Sequence, residues 1–364
     1  MDILIFFGVL LIIILVHEFG HFIVAKKSGI RVDEFGFGFP PKLFGKKIGE
    51  TLYSFNLLPI GGFVKIFGET PDKESISGPD SKRSFVNKPK YVQASVLAAG
   101  VIFNFLLACL LFITIYIVGA PLSVNEDIPK NGVIENPQLT IVYIEPQSPA
   151  ELAGLNPGDR PVALSSGDDV LKNPTDVQLQ QFIATHNEIA ITYQRGKNIE
   201  NVVHVSPEEN ETLGRSVIGV TLDEIGILKL PIHHAILEGV GMTLIITKAV
   251  AIGLGEFFYN IFVGDADFKS VAGPVGIVGI VGDAAQVGVV SLLILTAVIS
   301  INLALINLLP FPALDGGRLL LLIIEVITRK SIKPQIANAV NSIGFLLLLL
   351  LMAVVTYNDV AKLF

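Results

Sequence analysis

The chemistry of this sequence centres on His17, Glu18 and His21, which stand in the pattern HExxH. On an α-helix, residues four apart are offset by about 40° around the axis, so both imidazoles project from one face and can hold one metal ion. The glutamate lies beside that ion, where it can deprotonate a water. Zinc suits such a pair and lowers the pKa of its water towards about 7. The pattern therefore predicts a hydrolytic zinc centre with Glu18 as general base.

A catalytic zinc takes three protein ligands and one water, so a third ligand must come from elsewhere. We expect it to be Asp315, in the segment NLLPFPALDGG that runs from Asn307 to Gly317. Pro310 breaks the preceding helix, and Gly316 frees the backbone around the carboxylate. The alternative role for Asp315 is a helix N-cap. Weaker ligand candidates are Glu34 and Glu325, whereas the adjacent His233 and His234 are interpreted as interfacial.

The elements that position these residues are apolar. Of the 364 residues, 51% are hydrophobic and only 16% are charged, against about 25% charged in an average soluble domain. Four stretches suit the roughly 20 residues that a membrane span needs; we predict spans at 1–25, 92–118, 286–309 and 336–357. A signal peptide is the alternative for the first, but Asp2 and the HEFGH ending argue against it. Inside a span, ionisable residues cost several kcal/mol, which favours a functional site over core packing.

Charge predicts the orientation of the spans. Residues 26–91 hold twelve Lys/Arg against seven acids, whereas residues 119–230 hold seven against sixteen. By the positive-inside rule, 26–91 and 310–335 are cytoplasmic, and 119–230 and both termini are external. Residues 232–263 are apolar, but Glu238, Lys248 and Glu256 interrupt them. A crossing there would put 310–335 outside, so we expect an amphipathic helix on the external membrane face, with a fifth span as the alternative.

The polar segments have their own organisation. The loop 26–91 contains short apolar strands separated by Gly/Pro turns, which predict membrane-associated β-hairpins. Residues 123–208 read as an external α+β domain, with strands at 140–144, 188–194 and 201–206 and a helix at 176–185. Residues 209–285 are an external linker with the surface helix, 310–335 a cytoplasmic loop, and 358–364 an external tail.

HEFGH in the first span, with NLLPFPALDGG after the third, resembles the site-2 protease family of intramembrane zinc metalloproteases. The resemblance is to the bacterial branch typified by the regulator of sigma-E protease and covers nearly the whole chain. It includes GVIFNF in span two, LPIGGFVK in the first loop, and SPAELAGLNPGD, which is similar to a PDZ domain. It implies a membrane α-helical fold: four transmembrane helices, a cytoplasmic-side reentrant β-loop and an inserted external PDZ-like domain.

The resemblance also implies roles for particular residues. One zinc per chain would bind His17, His21 and Asp315, with Glu18 as base. The β-loop around Gly61, Gly62 and Phe63 would offer an edge strand to an unwound substrate, whose backbone Asn307 would contact. Structural positions near the site would be Gly100 and Asn104, which pack close to the catalytic span, with Pro310 and Gly316.

The implied function is regulated intramembrane proteolysis in the bacterial inner membrane. The substrates would be single-span proteins, such as anti-sigma factors or remnant signal peptides. There is room for one PDZ-like domain, and Pro161 removes a backbone donor from one of its strands. That makes capture of a peptide C-terminus doubtful and leaves a steric gate as its expected role.

Two other classes of function compete with this one. A PDZ-type membrane scaffold would not need the carboxylate of Glu18. A metal transporter would carry ionisable residues along a path through the membrane, whereas here they gather at one depth. The sequence has no basic patch that would indicate nucleic-acid binding, and it implies no oligomer. Its single cysteine, Cys109, excludes an internal disulfide and a metal cluster held by cysteines.

Overall fold

The computed structural model describes residues 1–126, 129, 132–196, 199–210, 214–264, 273–330 and 332–361. Its helices are α1 Asp2–Lys27, α2 Lys73–Ser77, α3 Lys90–Val118, α4 Pro149–Leu152, α5 Asp176–Thr185, α6 Ile232–Val263, α7 Pro274–Val287, α8 Val289–Leu308, α9 Asp315–Thr328 and α10 Pro334–Ala361. Its strands are β1 Val32–Ile48, β2 Thr51–Ile66, β3 Ala120–Ser123, β4 Val133–Ile144, β5 Arg160–Ser166, β6 Asp169–Lys172, β7 Ile189–Arg195, β8 Ile199–Val205, β9 Glu208–Asn210, β10 Arg215–Val217 and β11 Val220–Lys229.

Five helices within the described residues are long and apolar enough to cross a membrane, one more than the sequence predicts. Four of them, α1, α3, α8 and α10, overlap the four predicted ranges, with ends that differ by at most four residues. The fifth is α6, whose stretch 232–261 has a mean hydropathy of 1.8 over its most apolar window. Three charged residues spread over 32 positions do not lower the hydropathy below that of a span. On length and composition alone, the four-span prediction is therefore one short.

The chain divides into two units, one of which holds residues 1–112, 239–282 and 294–364. In this unit α1 and α3 cross at a very short distance. A Cβ atom on Gly20 would lie 2.9 Å from the carbonyl carbon of Ala99 and 3.0 Å from Cβ of Phe103, so only glycine fits there. Phe22, Ala25, Val96 and Leu322 belong to a buried cluster that joins α1 and α3 to α9.

The predicted short strands at 32–66 are in fact two long strands that fold back on each other. Glu34 pairs with both Leu52 and Lys65, and Phe37 pairs with both Phe55 and Gly62. The first half of β1 therefore lies between the two halves of β2, and residues 62–66 form an edge. Buried Asn56 stabilises the bend, because its Nδ2 donates to the carbonyls of Phe37 (3.2 Å) and Gly38 (3.1 Å). Gly38 takes a φ of +73° there.

The short helix α7 contacts the ends of two long helices. The backbone N–H groups of Gly273 and Gly276 donate to the Asp359 carboxylate at 3.1 and 2.9 Å, close to the C-terminal end of α10. In the second half of α7, a Cβ on Gly282 would lie 2.9 Å from Cγ of Asp2, the first residue of α1. Helix α7 thus lies beside the ends of α1 and α10 that are remote from His17 and Asn341.

The second unit, residues 113–238 with 283–293, is an α+β structure. It contains a four-stranded sheet of order β6-β5-β7-β8 and a three-stranded sheet of order β3-β11-β4. Helix α5 packs its Leu179 and Ile183 into the core with Leu164 and Ile191. The observed α5 has the bounds that the sequence predicts, and β7 and β8 lie within two residues of theirs. Pro161 stays inside β5, and the register with β7 shifts between Pro161 and Ala163 because proline has no N–H to donate.

Candidate metal centre

Three side chains meet at one buried point in the first unit. Nε2 of His17 lies 3.2 Å from Nε2 of His21, and each lies 3.1 Å from Oδ2 of Asp315. Tetrahedral zinc holds its ligands at about 2.0–2.1 Å, which places ligand atoms about 3.3 Å apart. The donor triangle therefore fits one zinc ion without rearrangement, and within the described part of the chain it is the one cluster of metal-ligating side chains.

The two histidines are held by α3. A Cβ atom on Gly100 would lie 2.6 Å from Cε1 and 2.7 Å from Nε2 of His17, so glycine leaves the room that both rings occupy. One turn before it, the carbonyl of Val96 accepts a hydrogen bond from Nδ1 of His21 at 2.7 Å. One turn after it, the side-chain amide of fully buried Asn104 lies 3.3 Å from Nδ1 of His17. The structure thus places Gly100 and Asn104 against the histidines of α1, and the Val96 carbonyl, which has no signature in a sequence, lies on the same face of α3.

Asp315 is the first residue of α9, at the end of a tightly folded loop. Gly316 is buried, and a Cβ there would clash with the carbonyl oxygens of Leu308 and Leu309. Ala313 takes a φ of +74°, which is strained for a residue other than glycine, and its N–H approaches Oδ1 of Asn341 at 3.4 Å. Exposed Pro310 lies just beyond α8, and partly buried Asn307 lies in its last turn.

Glu18 lies next to the ligands and faces the hairpin. A Cβ on buried Gly62 would lie 3.7 Å from Cγ of Glu18. Gly61 takes a φ of +104°, and the ring of Phe63 stacks on Phe39 with centroids 6.4 Å apart. The edge of the hairpin is therefore beside the candidate base.

The weaker ligand candidates are elsewhere. Glu34 accepts a hydrogen bond from Ser54 at 2.5 Å, and Glu325 forms an ion pair with Lys90 at 2.5 Å. His233 and His234 have ring centroids 4.4 Å apart, at the start of α6. The structure instead brings Arg318 and Glu69 into an ion pair one turn after Asp315, which the sequence does not predict.

A cluster at the base of the hairpin fixes it to α1. The carboxylate of Glu50, in the turn between β1 and β2, accepts from Nζ of Lys26 at 2.6 Å and from Nη2 of Arg83 at 2.7 Å. These two hydrogen bonds hold the pKa of Glu50 below its ordinary value. Lys26 is in the last turn of α1, nine residues after His17 on a helix, so the cluster holds the hairpin close to the end of α1 that carries the two histidines.

A metal centre made of an HExxH helix and an aspartate, held between apolar helices of span length, defines the class of membrane metallohydrolases. Comparison with known proteins makes this class specific. Residues 5–351 match the model of peptidase family M50, and the chain belongs to this family of site-2 proteases. It is a zinc metalloprotease and a multi-pass protein of the inner membrane, which confirms the predicted enzyme class and cofactor.

Known relatives are similar in sequence to this protein along almost the whole chain. A protein of Clostridium perfringens assigned by inference as a zinc metalloprotease is 36% identical over 355 residues, which cover 96% of this chain and 95% of the relative. The zinc metalloprotease RasP of Geobacillus kaustophilus is 30% identical over 426 aligned positions, covering 96% of this chain and 95% of the relative. A Rhizobium meliloti protein described in the same way as the first is 30% identical over 377 positions, covering 99% and 96%.

Proposed function

We propose that this protein is an intramembrane endoprotease that hydrolyses peptide bonds in or near the transmembrane segments of single-span proteins. His17, His21 and Asp315 hold one zinc ion, and Glu18 is the general base. The observation that carries the proposal is the triangle of three donor atoms, 3.1–3.2 Å apart, two of them on a helix of span length and the third on the first residue of α9.

The metal ion and Glu18 have different roles in the proposed hydrolysis. When bound, zinc supplies a Lewis acid that polarises the scissile carbonyl and makes water nucleophilic at neutral pH. Glu18 removes a proton from the attacking water and returns it to the leaving amine. Gly62 on β2 leaves room for the Glu18 side chain beside the edge of the hairpin.

A helical substrate hides its carbonyls in intrahelical hydrogen bonds, so the peptide must unwind before it can be hydrolysed. The edge segment Gly62–Lys65 supports binding of an unwound strand by β-augmentation, because it runs beside Glu18 and its other side is already paired with β1. In this proposal Gly61, Gly62 and Phe63 shape the edge, and Asn307 contacts the substrate backbone from the end of α8.

We further propose that four helices cross the bilayer and that α6 lies along its external face. The site-proximal parts of α3 and α8 meet where Ser300 donates to the carbonyl of Asn104 at 2.9 Å, so both helices have their other ends on the remote side. Helix α7 is also on the remote side, held by Asp359 and against Asp2. If α6 crossed, the ten peptide units from Val263 to Gly273 would have to return through about 30 Å of hydrocarbon as nearly extended chain, with unsatisfied backbone groups.

This topology puts both termini and the α+β unit outside, and the metal centre near the cytoplasmic end of α1. We assign the α+β unit as a single PDZ-like domain of the kind found in the sigma-E regulatory branch. Its helix α5, its sheets and the SPAELAGLNPGD segment support that assignment. Its proposed role is to exclude substrates with bulky external domains, which leaves single-span proteins with short ones, such as cleaved anti-sigma factors and remnant signal peptides.

The test combines metal content with cleavage. Zinc per chain is measured by elemental analysis on the detergent-purified protein and on Asp315→Ala, with Glu325→Ala as a matched carboxylate on the same helix. We expect about one zinc in the wild type and in Glu325→Ala, and a clear loss in Asp315→Ala. Glu18→Gln should keep its zinc but lose cleavage of a single-span reporter by about 10²- to 10⁴-fold.

Each result has a counterpart that would refute part of the proposal. Zinc retained in Asp315→Ala would mean a different third ligand. Undiminished cleavage by Glu18→Gln would remove the proposed base. A folded wild type that cleaves only soluble peptides, and no single-span reporter, would contradict the substrate class.

A further inference from the structure

The hydrogen bond at the second nitrogen of His17 has a direction that zinc binding dictates. Nε2 of His17 points at the other two donor atoms, so it must be unprotonated to bind a metal. A neutral imidazole then carries its proton on Nδ1, which becomes a donor and needs an acceptor. His21 follows this rule, because its Nδ1 donates to the carbonyl of Val96 at 2.7 Å.

Asn104 is the side chain that faces Nδ1 of His17, and it is fully buried. With Nδ2 at 3.3 Å from Nδ1, two N–H groups would face each other, and Oδ1 is buried without a hydrogen-bond partner among the described residues. Turning the amide by 180° exchanges Oδ1 and Nδ2 and moves no neighbouring atom. Oδ1 then accepts the proton that His17 must donate.

We propose that Asn104 is a positioning residue that accepts a hydrogen bond from Nδ1 of His17 through Oδ1, and so fixes the tautomer and ring orientation of this zinc ligand. The inference rests on the proposed role of His17 as a ligand. Val96, Gly100 and Asn104 are four residues apart and therefore lie on the same face of α3. The proposed role of Asn104 explains why this face carries a backbone carbonyl, then an open space, then a side-chain amide. The carbonyl serves His21, the space admits both rings, and the amide serves His17.

The chemistry favours an amide over the carboxylate that often fills this role. A carboxylate would add a third acidic group at membrane depth, beside Asp315 and Glu18, and such charges are costly in a span. An amide oxygen accepts the same hydrogen bond without that charge. The hydrogen bond from Ser300 to the Asn104 carbonyl fixes the backbone that carries the amide.

The experiment compares zinc affinities of the full-length protein in detergent, by competition with a chromophoric chelator. Loss of an outer partner of a metal-bound histidine typically lowers metal affinity by about 10- to 100-fold, and we expect that loss for Asn104→Leu. Asn104→Asp should stay within a few-fold of wild type, because a carboxylate can accept from Nδ1 and cannot donate. Asn302→Leu is the matched control, because Asn302 donates to the carbonyl of Val298 in its own helix at 2.9 Å; it should bind zinc like the wild type.

A packing role is distinguished by the melting temperature of the chelator-treated protein. We expect Asn104→Leu, or the smaller Asn104→Ala, to melt like the wild type without zinc and to gain less from added zinc. Wild-type affinity in both variants would overturn the proposal. An Asn104→Asp variant as weak as Asn104→Leu would also overturn it, because the amide would then act as a donor or as packing. A wild type that binds no zinc would refute the proposed function and this proposal together.

Discussion

Replacing Gly100 with alanine tests whether helix packing sets the metal centre. The added Cβ would lie 2.6 Å from Cε1 of His17, where an unstrained carbon contact needs at least about 3.4 Å. The imidazole, or the whole of α3, must therefore move by about 0.8 Å. Zinc ligands tolerate about 0.2 Å before the site is degraded, so the displacement exceeds that tolerance several-fold.

The expected loss follows from the cost of overpacking. An extra methyl group in a closely packed core costs about 1–3 kcal/mol, and here moving His17 off the metal position relieves it. If the strain is borne by zinc binding, affinity falls by about 5- to 150-fold, because 1.4 kcal/mol is a factor of ten. The protein should remain folded, because alanine is a better helix former than glycine.

The assay is zinc affinity by chelator competition, with Gly8→Ala as the matched control. Gly8 is on the same helix as the histidines, and a Cβ there would meet nothing within 4 Å. Gly8→Ala should bind zinc like the wild type and cleave at the wild-type rate. A Gly100→Ala variant that binds zinc as tightly as Gly8→Ala would refute the argument that the space at Gly100 is what admits the two rings.

Two further predictions concern stability. Glu50→Gln should lower the free energy of unfolding at pH 7 by at most about 1 kcal/mol. Because the pKa of Glu50 is lowered in the folded protein, this difference from the wild type should be constant above about pH 5 and disappear as the pH falls through the folded-state pKa. A difference that grows in acid would contradict the prediction. Ala313→Gly should raise the free energy of unfolding by up to about 1 kcal/mol, because a φ of +74° costs alanine energy that glycine does not incur. The melting temperature should therefore rise in thermal unfolding. A lower melting temperature would show that the loop is not strained there.

The sequence predicts the metal centre more completely than the fold around it. HExxH places two histidines on one helix face whatever surrounds them, and Asp315 follows as the carboxylate at the same depth. The carbonyl of Val96 could not be predicted, since every residue has one. Nor could the ion pair between Arg318 and Glu69, because it joins segments 249 residues apart.

The fold departs from the sequence expectations where local patterns are ambiguous. Gly/Pro positions at 38–41 and 59–62 predict turns between short strands, but the strands continue through them with shifts in register. Alternation of side chains defines a strand and carries no information about which of two partners it pairs with. Helix α6 meets the hydropathy of a span, and the argument against a crossing comes from the contacts of α7 rather than from its own residues.

The contacts of α7 also have a consequence for the order in which the protein is assembled. Asp359, which caps the first turn of α7, is 85 residues later in the chain than Pro274. During synthesis, α8, α9 and most of α10 must emerge before that cap exists, whereas the contact with Asp2 is available at once. The remote ends of the first and last long helices are thus joined through a helix that docks completely only after α10 has been inserted, which makes its docking a late step in biogenesis.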